Sequence, residues 1–174
     1  MKSKNTMRKS FVAVLMGSDS DLPTMQETLN VLDKFGIPAE LRVTSAHRTP
    51  DATHQYVRDA EKRGCEVFIA AAGLAAHLAG TVAGLTLKPV IGVPMDAGPL
   101  DGLDALLSTV QMPGGIPVAT MAIGKAGAKN AGYLAAQILA RLDPVLQRKL
   151  RKDRDDNARA ILKKNETLHN KLNK

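Results

Sequence analysis

The chain has a single cysteine, Cys65, no tryptophan, and only 3% aromatic residues among its 174. One cysteine excludes an internal disulfide framework and a cysteine-based zinc site, and it fits a reducing compartment. So few aromatics leave no surface on which nucleobases could stack. The first ten residues lack any acid and carry Lys2, Lys4, Arg8 and Lys9. They lead into FVAVLM, which is too short for the apolar core of a secretory signal, so the cytoplasm is the expected compartment. A stretch at 67–87 is long and apolar enough to mimic a membrane span. His77 at its centre and Gly73, Gly80 and Gly84 along it make it a strand, a tight turn and a buried helix instead, with no membrane partner.

What remains is an ordinary globular composition, 44% apolar, of a length that predicts one main core. The formal charge of +7 is concentrated at the ends. Residues 1–10 carry +4 and residues 148–174 carry +6 from ten bases and four acids, which leaves −3 for the body. Basic ends on an acidic body read as solvated termini, and a nucleic-acid partner is not expected.

The body alternates short apolar runs with helix-length segments. The runs at 11–16, 41–45, 67–72, 90–93 and 118–123 are continuous enough to suit parallel strands covered on both faces. Helices are expected at 22–35, opening with Pro23 and closing at Gly36, and at 50–63, opening after Thr49 and closing at Gly64. Three more fall at 75–85, 102–110 and 126–142. Five such repeats predict an α/β sandwich with a flavodoxin-like or Rossmann-like sheet. The charged segment at 144–174 predicts one long helix with a thin apolar seam of Leu146, Leu150, Ile161, Leu168 and Leu172, packed on a neighbouring subunit or projecting into solvent.

In open α/β sheets ligands bind beyond the carboxyl ends of the strands, so the residues that follow each run are the informative ones. The first run is followed by Gly17-Ser18-Asp19-Ser20-Asp21, whose hydroxyls and backbone N–H groups suit a phosphate or serve equally as helix caps. After the second comes Ser45-Ala46-His47-Arg48-Thr49-Pro50, where a guanidinium able to hold an anion adjoins the side chain best suited to move protons near neutral pH. His47 is the catalytic candidate. After the third comes Gly73-Leu74-Ala75-Ala76-His77, small residues that let a flat ligand approach the backbone. The fourth opens a long Gly/Pro-rich connection, and the fifth ends in Ile123-Gly124-Lys125. His54 and His169 fall on solvent-facing helical positions. No metal site is evident, because there is no HExxH and the two candidate histidines have no carboxylate cluster between them. A phosphoacceptor module would need an aspartate where this chain has Ala71-Ala72-Gly73. A flavin carrier is disfavoured by the absence of tryptophan and by tyrosines on predicted helices.

Taken together, 17–21, 45–51, 75–78 and 110–118, with Ala122-Ile123-Gly124 and Asn130-Ala131, resemble the N5-carboxyaminoimidazole ribonucleotide mutase family of purine biosynthesis over nearly the whole body. The resemblance implies a flavodoxin-like three-layer α/β/α sandwich at 11–143, flanked by a basic extension at 1–10 and the helix at 144–174. It implies a homo-octamer with active sites at subunit interfaces. It implies a carboxylate moved from the exocyclic nitrogen of a nucleotide substrate to ring carbon 4, with no metal and no cofactor. His47 falls on the family's catalytic histidine. Ser18, Asp21 and Arg48 fall on its substrate-binding residues, with Ser45 and the turn of Gly73, Ala75 and Ala76 beside them, and His77 falls on a histidine lining the site. The alternative is a sister class that carboxylates aminoimidazole ribonucleotide directly with carbon dioxide; it carries Lys at the position of Arg48 and lacks the histidine at 77, so both residues favour the mutase. The chain departs from the family's usual Gly-Gly-Ala-Ala-His-Leu-Pro-Gly at Leu74 and Ala79.

Overall fold

A computed structural model describes residues 10–172. The extension expected at 1–10 therefore lies, apart from Ser10, outside the described residues, as do Asn173 and Lys174. Five strands form one parallel sheet: β1 (Phe11–Met16), β2 (Ala39–Val43), β3 (Cys65–Ala72), β4 (Val90–Pro94) and β5 (Ala119–Thr120). Their order, β2-β1-β3-β4-β5, is the flavodoxin-like one. Between and after them run α1 (Leu22–Phe35), α2 (Pro50–Arg63), α3 (Leu78–Ala83), α4 (Leu103–Val110), α5 (Gly124–Leu139) and α6 (Pro144–Leu172).

The pleat sorts the core. Phe11, Ala13 and Leu15 of β1 and Phe68 and Ala70 of β3 pack in one cluster with Tyr56, Val57 and Ala60 of α2 and Leu78, Ala79 and Val82 of α3. Alternation along each strand turns Val12, Val14, Val67 and Ile69, all fully buried, to the opposite face. On α1, Thr28 Oγ1 donates to the Ala128 carbonyl of α5 at 2.6 Å, and Gly132 of α5 is needed because a Cβ there would lie 2.8 Å from that of Val31. Gly92 of β4 is constrained in the same way, since its Cβ would meet Thr109 of α4 at 2.4 Å.

The last helix of the body runs Gly124–Leu139 rather than 126–142, and three further expected elements are shifted or shortened for local reasons. The second strand is not 41–45 but Ala39–Val43: Thr44 N–H still donates to the Met16 carbonyl, but Ser45 N–H turns to Thr49 Oγ1 at 2.9 Å and ends the ladder. Nor is it covered on both faces, since as the sheet edge it leaves Val43 54% exposed. It is tied down instead by Glu40, which accepts from Tyr56 Oη and pairs with Arg63; the guanidinium holds the Glu40 carboxyl below its ordinary range. The third helix begins at Leu78 rather than 75, because a tight turn, His77 N–H to the Ala75 carbonyl at 2.8 Å, intervenes. The fifth strand pairs over two residues only, because Pro94 has no N–H with which to extend the ladder.

Contacts divide the chain into two compact units, one ending at Ala135 and one beginning at Ala136, a boundary inside α5 and ahead of the 143–144 junction. In the second unit Asp143 caps α6, accepting from Val145 and Leu146 N–H groups at 2.9 and 3.1 Å. Of the α6 seam only Leu146 is buried; Ile161, Leu168 and Leu172 are exposed. Among the described residues no helix is long and apolar enough to cross a membrane.

Candidate active site

The sheet order reverses at β1 and β3, and a cleft of about 560 Å³ opens at their carboxyl ends. Loops after four different strands line it. After β1, Ser18 caps a single 3-10 turn, Asp19–Asp21, with Asp21 returning a carboxylate bond to the Ser18 N–H at 3.2 Å. The capping role open to these residues on sequence is thus realised, and the same residues also line the cleft. Ser20 N–H and Oγ both donate to Ser18 Oγ, at 3.2 and 2.7 Å, so this hydroxyl is oriented before any ligand arrives.

After β2, Ser45 and Thr49 close a compact loop that presents His47 and Arg48. Thr49 N–H donates to the Ser45 carbonyl at 2.9 Å and Arg48 N–H to Ser45 Oγ at 3.1 Å. Beneath it, Thr44 and the fully buried Thr53 share a 2.7 Å hydroxyl bond that fastens the loop to α2. Arg48 Nη2 reaches the Gly17 carbonyl at 3.4 Å, so the guanidinium leans toward the β1 loop while remaining exposed.

The third loop delivers His77. Its Nδ1 lies 2.7 Å from His47 Nε2, with the rings edge to face at 86°. One ring nitrogen must donate and the other accept, so the tautomer of each ring is set by that of the other. Residues thirty apart in sequence are thereby joined by one imidazole–imidazole hydrogen bond in the cleft.

Burial raises the Asp21 carboxyl above its ordinary value; the Ser18 N–H opposes this and Asp19 adds to it. A raised folded-state value makes the contribution of this carboxyl to stability greatest below about pH 3.8, and that contribution is lost as pH rises through the folded-state value. Asp21→Asn removes the cost of the buried charge. Its melting temperature at pH 7 should therefore exceed that of the wild type, and its decline from pH 4 to 7 should be shallower; an equal or lower value at pH 7 would contradict the assignment.

Of the residues singled out from sequence, Ser18, Asp21, Ser45, His47, Arg48, Gly73, Ala75 and His77 all line this one cleft. Ala76 does not: it is buried at 2% exposure and packs beneath the turn. Nor do the 110–118 connection, Ala122-Ile123-Gly124 or Asn130-Ala131, although all belong to the resemblance. Sequence reasoning set Leu74 within the turn beside the site without assigning it a role, and missed Ala97 as a lining residue together with the Thr44–Thr53 support. Leu74 stands out in sequence only as a departure from the family's usual glycine and Ala97 is featureless, whereas the pair of threonines flanking a His-Arg loop was a usable signal.

A family model described as AIR carboxylase matches residues 11–160. The chain is a member of the AIR carboxylase family. Its relatives within that family include the N5-carboxyaminoimidazole ribonucleotide mutase of Bacillus subtilis, 52% identical over 90% of this chain and 97% of that protein. The mutase of Mycobacterium tuberculosis is 58% identical over 80% of this chain and 79% of its own length. The crystal structure of Treponema denticola PurE superposes with a TM-score of 0.83 at 29% identity, covering 91% of this chain and 98% of that one. The family's fold is thus the fold found here, and the cleft lies where that fold places ligands.

Proposed function

We propose that the chain isomerises N5-carboxyaminoimidazole ribonucleotide to 4-carboxy-5-aminoimidazole ribonucleotide in purine biosynthesis. One observation carries the reading: the paired imidazoles of His47 and His77 share a single cleft with Arg48, Ser18 and Asp21, and close relatives are named for this activity. The Bacillus subtilis and Mycobacterium tuberculosis relatives are both named mutases, and Arg48 and His77 both speak for the mutase.

The chemistry needs one group that gives a proton and takes it back. Protonation of the carbamate nitrogen lets the C–N bond break, with its electron pair staying on nitrogen and carbon dioxide departing. The enamine pair of carbon 4 then attacks that carbon dioxide to form the new C–C bond. His47 finally removes the carbon 4 proton, which restores the aromatic ring and returns the histidine to its starting state. His77 positions the His47 ring through the shared bond. Arg48 and the Ser18 hydroxyl hold anionic oxygens, Asp21 accepts from the ribose hydroxyls, and Ser45 and the backbone at Gly73 and Ala75 frame the ring. The sequence is redox-neutral and no step calls for a cofactor. Conversion of N5-carboxyaminoimidazole ribonucleotide without added bicarbonate tests the reading.

We further propose a homo-octamer whose neighbours complete the site. On α4, Leu103, Leu107 and Val110 are each about half exposed along one face, and the glycines of the 110–118 connection, Gly114 and Gly115, face open space. Such features suit a subunit contact, and the basic helix α6 would pack on a neighbour. Light scattering should give eight times the 18.5 kDa chain mass; a monomer at micromolar concentration would refute the assembly. A phosphorylated intermediate as substrate and a single buried thiol suit the cytoplasm, and a nucleic-acid partner is not expected.

A further inference from the structure

A serine hydroxyl has one proton to give and lone pairs for two hydrogen bonds. At Ser18 all of these are committed within a single turn. A carboxylate can only accept, so the contact of Ser18 Oγ with Asp19 Oδ1 at 3.3 Å takes the serine's one proton. The same oxygen accepts from Ser20 N–H at 3.2 Å and from Ser20 Oγ at 2.7 Å, which fills its lone pairs. Ser18 therefore has only its proton to offer a ligand, and Asp19 holds that proton. All these bonds lie within residues 18–20 of one chain and need no residue from a neighbouring subunit.

The three bonds differ in strength. A hydroxyl bonded well to a carboxylate sits at about 2.5–2.7 Å, so the 3.3 Å contact to Asp19 is the weak one and the one a ligand can replace. Asp19 is exposed and does not line the cleft, whereas Ser18, Ser20 and Asp21 do. Its charge is nevertheless felt in the turn: the Asp21 carboxyl, raised first by burial, is raised further by Asp19. An anionic oxygen received by Ser18 must take the hydroxyl proton from Asp19 and settle beside a like charge. Both effects oppose the attraction of Arg48, whose guanidinium leans toward this loop at the Gly17 carbonyl.

We propose that Asp19 is a positioning residue that sets nucleotide affinity: it holds the Ser18 proton in the empty cleft and yields it to an anionic oxygen of the bound nucleotide, which keeps that nucleotide more weakly bound than Ser18 and Arg48 alone would hold it. The inference rests on the reading given above, in which Ser18 and Arg48 receive the anionic oxygens. Substrate and product both carry a phosphate and a carboxylate, so Asp19 acts on the binding of each alike and belongs to KM rather than to kcat.

The test measures dissociation constants by calorimetry for aminoimidazole ribonucleotide, for 4-carboxy-5-aminoimidazole ribonucleotide and for aminoimidazole riboside, which has neither phosphate nor carboxylate. The proteins are the wild type, Asp19→Asn, Asp19→Ala, Ser18→Ala and the Ser18→Ala/Asp19→Ala double variant. Asp19→Ala should bind the carboxylated nucleotide about five-fold more tightly than the wild type and the riboside within about two-fold of it. Tightening of both nucleotides marks the phosphate as the anion received at Ser18, and tightening of the carboxylated one alone marks the carboxylate. Asp19→Asn should fall between Asp19→Ala and the wild type, because its amide oxygen still accepts the proton but carries no charge. Without the Ser18 hydroxyl, Asp19→Ala should change affinity by less than about two-fold. In turnover of N5-carboxyaminoimidazole ribonucleotide, Asp19→Ala should lower KM while kcat stays within about two-fold. A merely structural acid in the first turn would, when removed, lower the melting temperature and loosen the nucleotide, never tighten it. Unchanged or weaker nucleotide affinity in Asp19→Ala would overturn the proposal, as would equal tightening of the riboside or an undiminished effect in the Ser18→Ala background. Failure of the mutase reading would show separately, as absence of product from the wild type, on which these affinities do not depend.

Discussion

Replacing His47 with asparagine should lower kcat by about a thousand-fold, within the range expected when a general acid–base group is lost. Asparagine keeps a polar side chain, but its amide stops short of the Nε2 position that bonds His77 Nδ1, and no atom in it can give and regain a proton near neutral pH. The side chain is exposed on a loop whose shape is set by Ser45, Thr49, Thr44 and Thr53, none of which depends on the imidazole. Melting temperature and affinity for aminoimidazole ribonucleotide should therefore stay close to the wild type. Rapid residual turnover would remove His47 from its role. Loss of nucleotide affinity equal to the loss of rate would make it a binding residue instead.

The second large effect is on folding. Gly127 lies in the first turn of α5, where a Cβ would stand 1.6 Å from the Ala122 carbonyl oxygen, an overlap that no rotamer can relieve. The next residues seat that helix against α1, Ala128 through the bond from Thr28 and Gly132 through close approach to Val31. Gly127→Ala must shift the β5–α5 connection or the helix, and should cost more than about 3 kcal/mol. For a chain of this size that corresponds to a fall of about 10 °C in melting temperature, readable by calorimetry. A fall of less than about 2 °C would mean that the start of α5 relaxes easily and that its packing on α1 is not tightly specified.

The parts of the fold legible in sequence were those where a letter carries its own physics. Continuous apolar runs marked the buried strands β1, β3 and β4, and Pro23, Gly36, Pro50 and Gly64 marked the ends of α1 and α2. The elements that moved were set by partners that no local pattern reveals. Strand β2 ended early because Ser45 found a hydroxyl acceptor, and β5 stayed short because Pro94 sits on the strand beside it. The site was legible because an open parallel sheet gathers its strand-end loops, so Ser18, His47 and His77 met although far apart in sequence.

The central claim is that this chain moves a carboxylate within one nucleotide. The direct measurement is product formation from N5-carboxyaminoimidazole ribonucleotide without added bicarbonate, run beside aminoimidazole ribonucleotide with bicarbonate. Rapid turnover of the first and little of the second is the expected result. Rapid carboxylation of the second with no product from the first would contradict it, and would make Arg48 and His77 residues of a direct carboxylase.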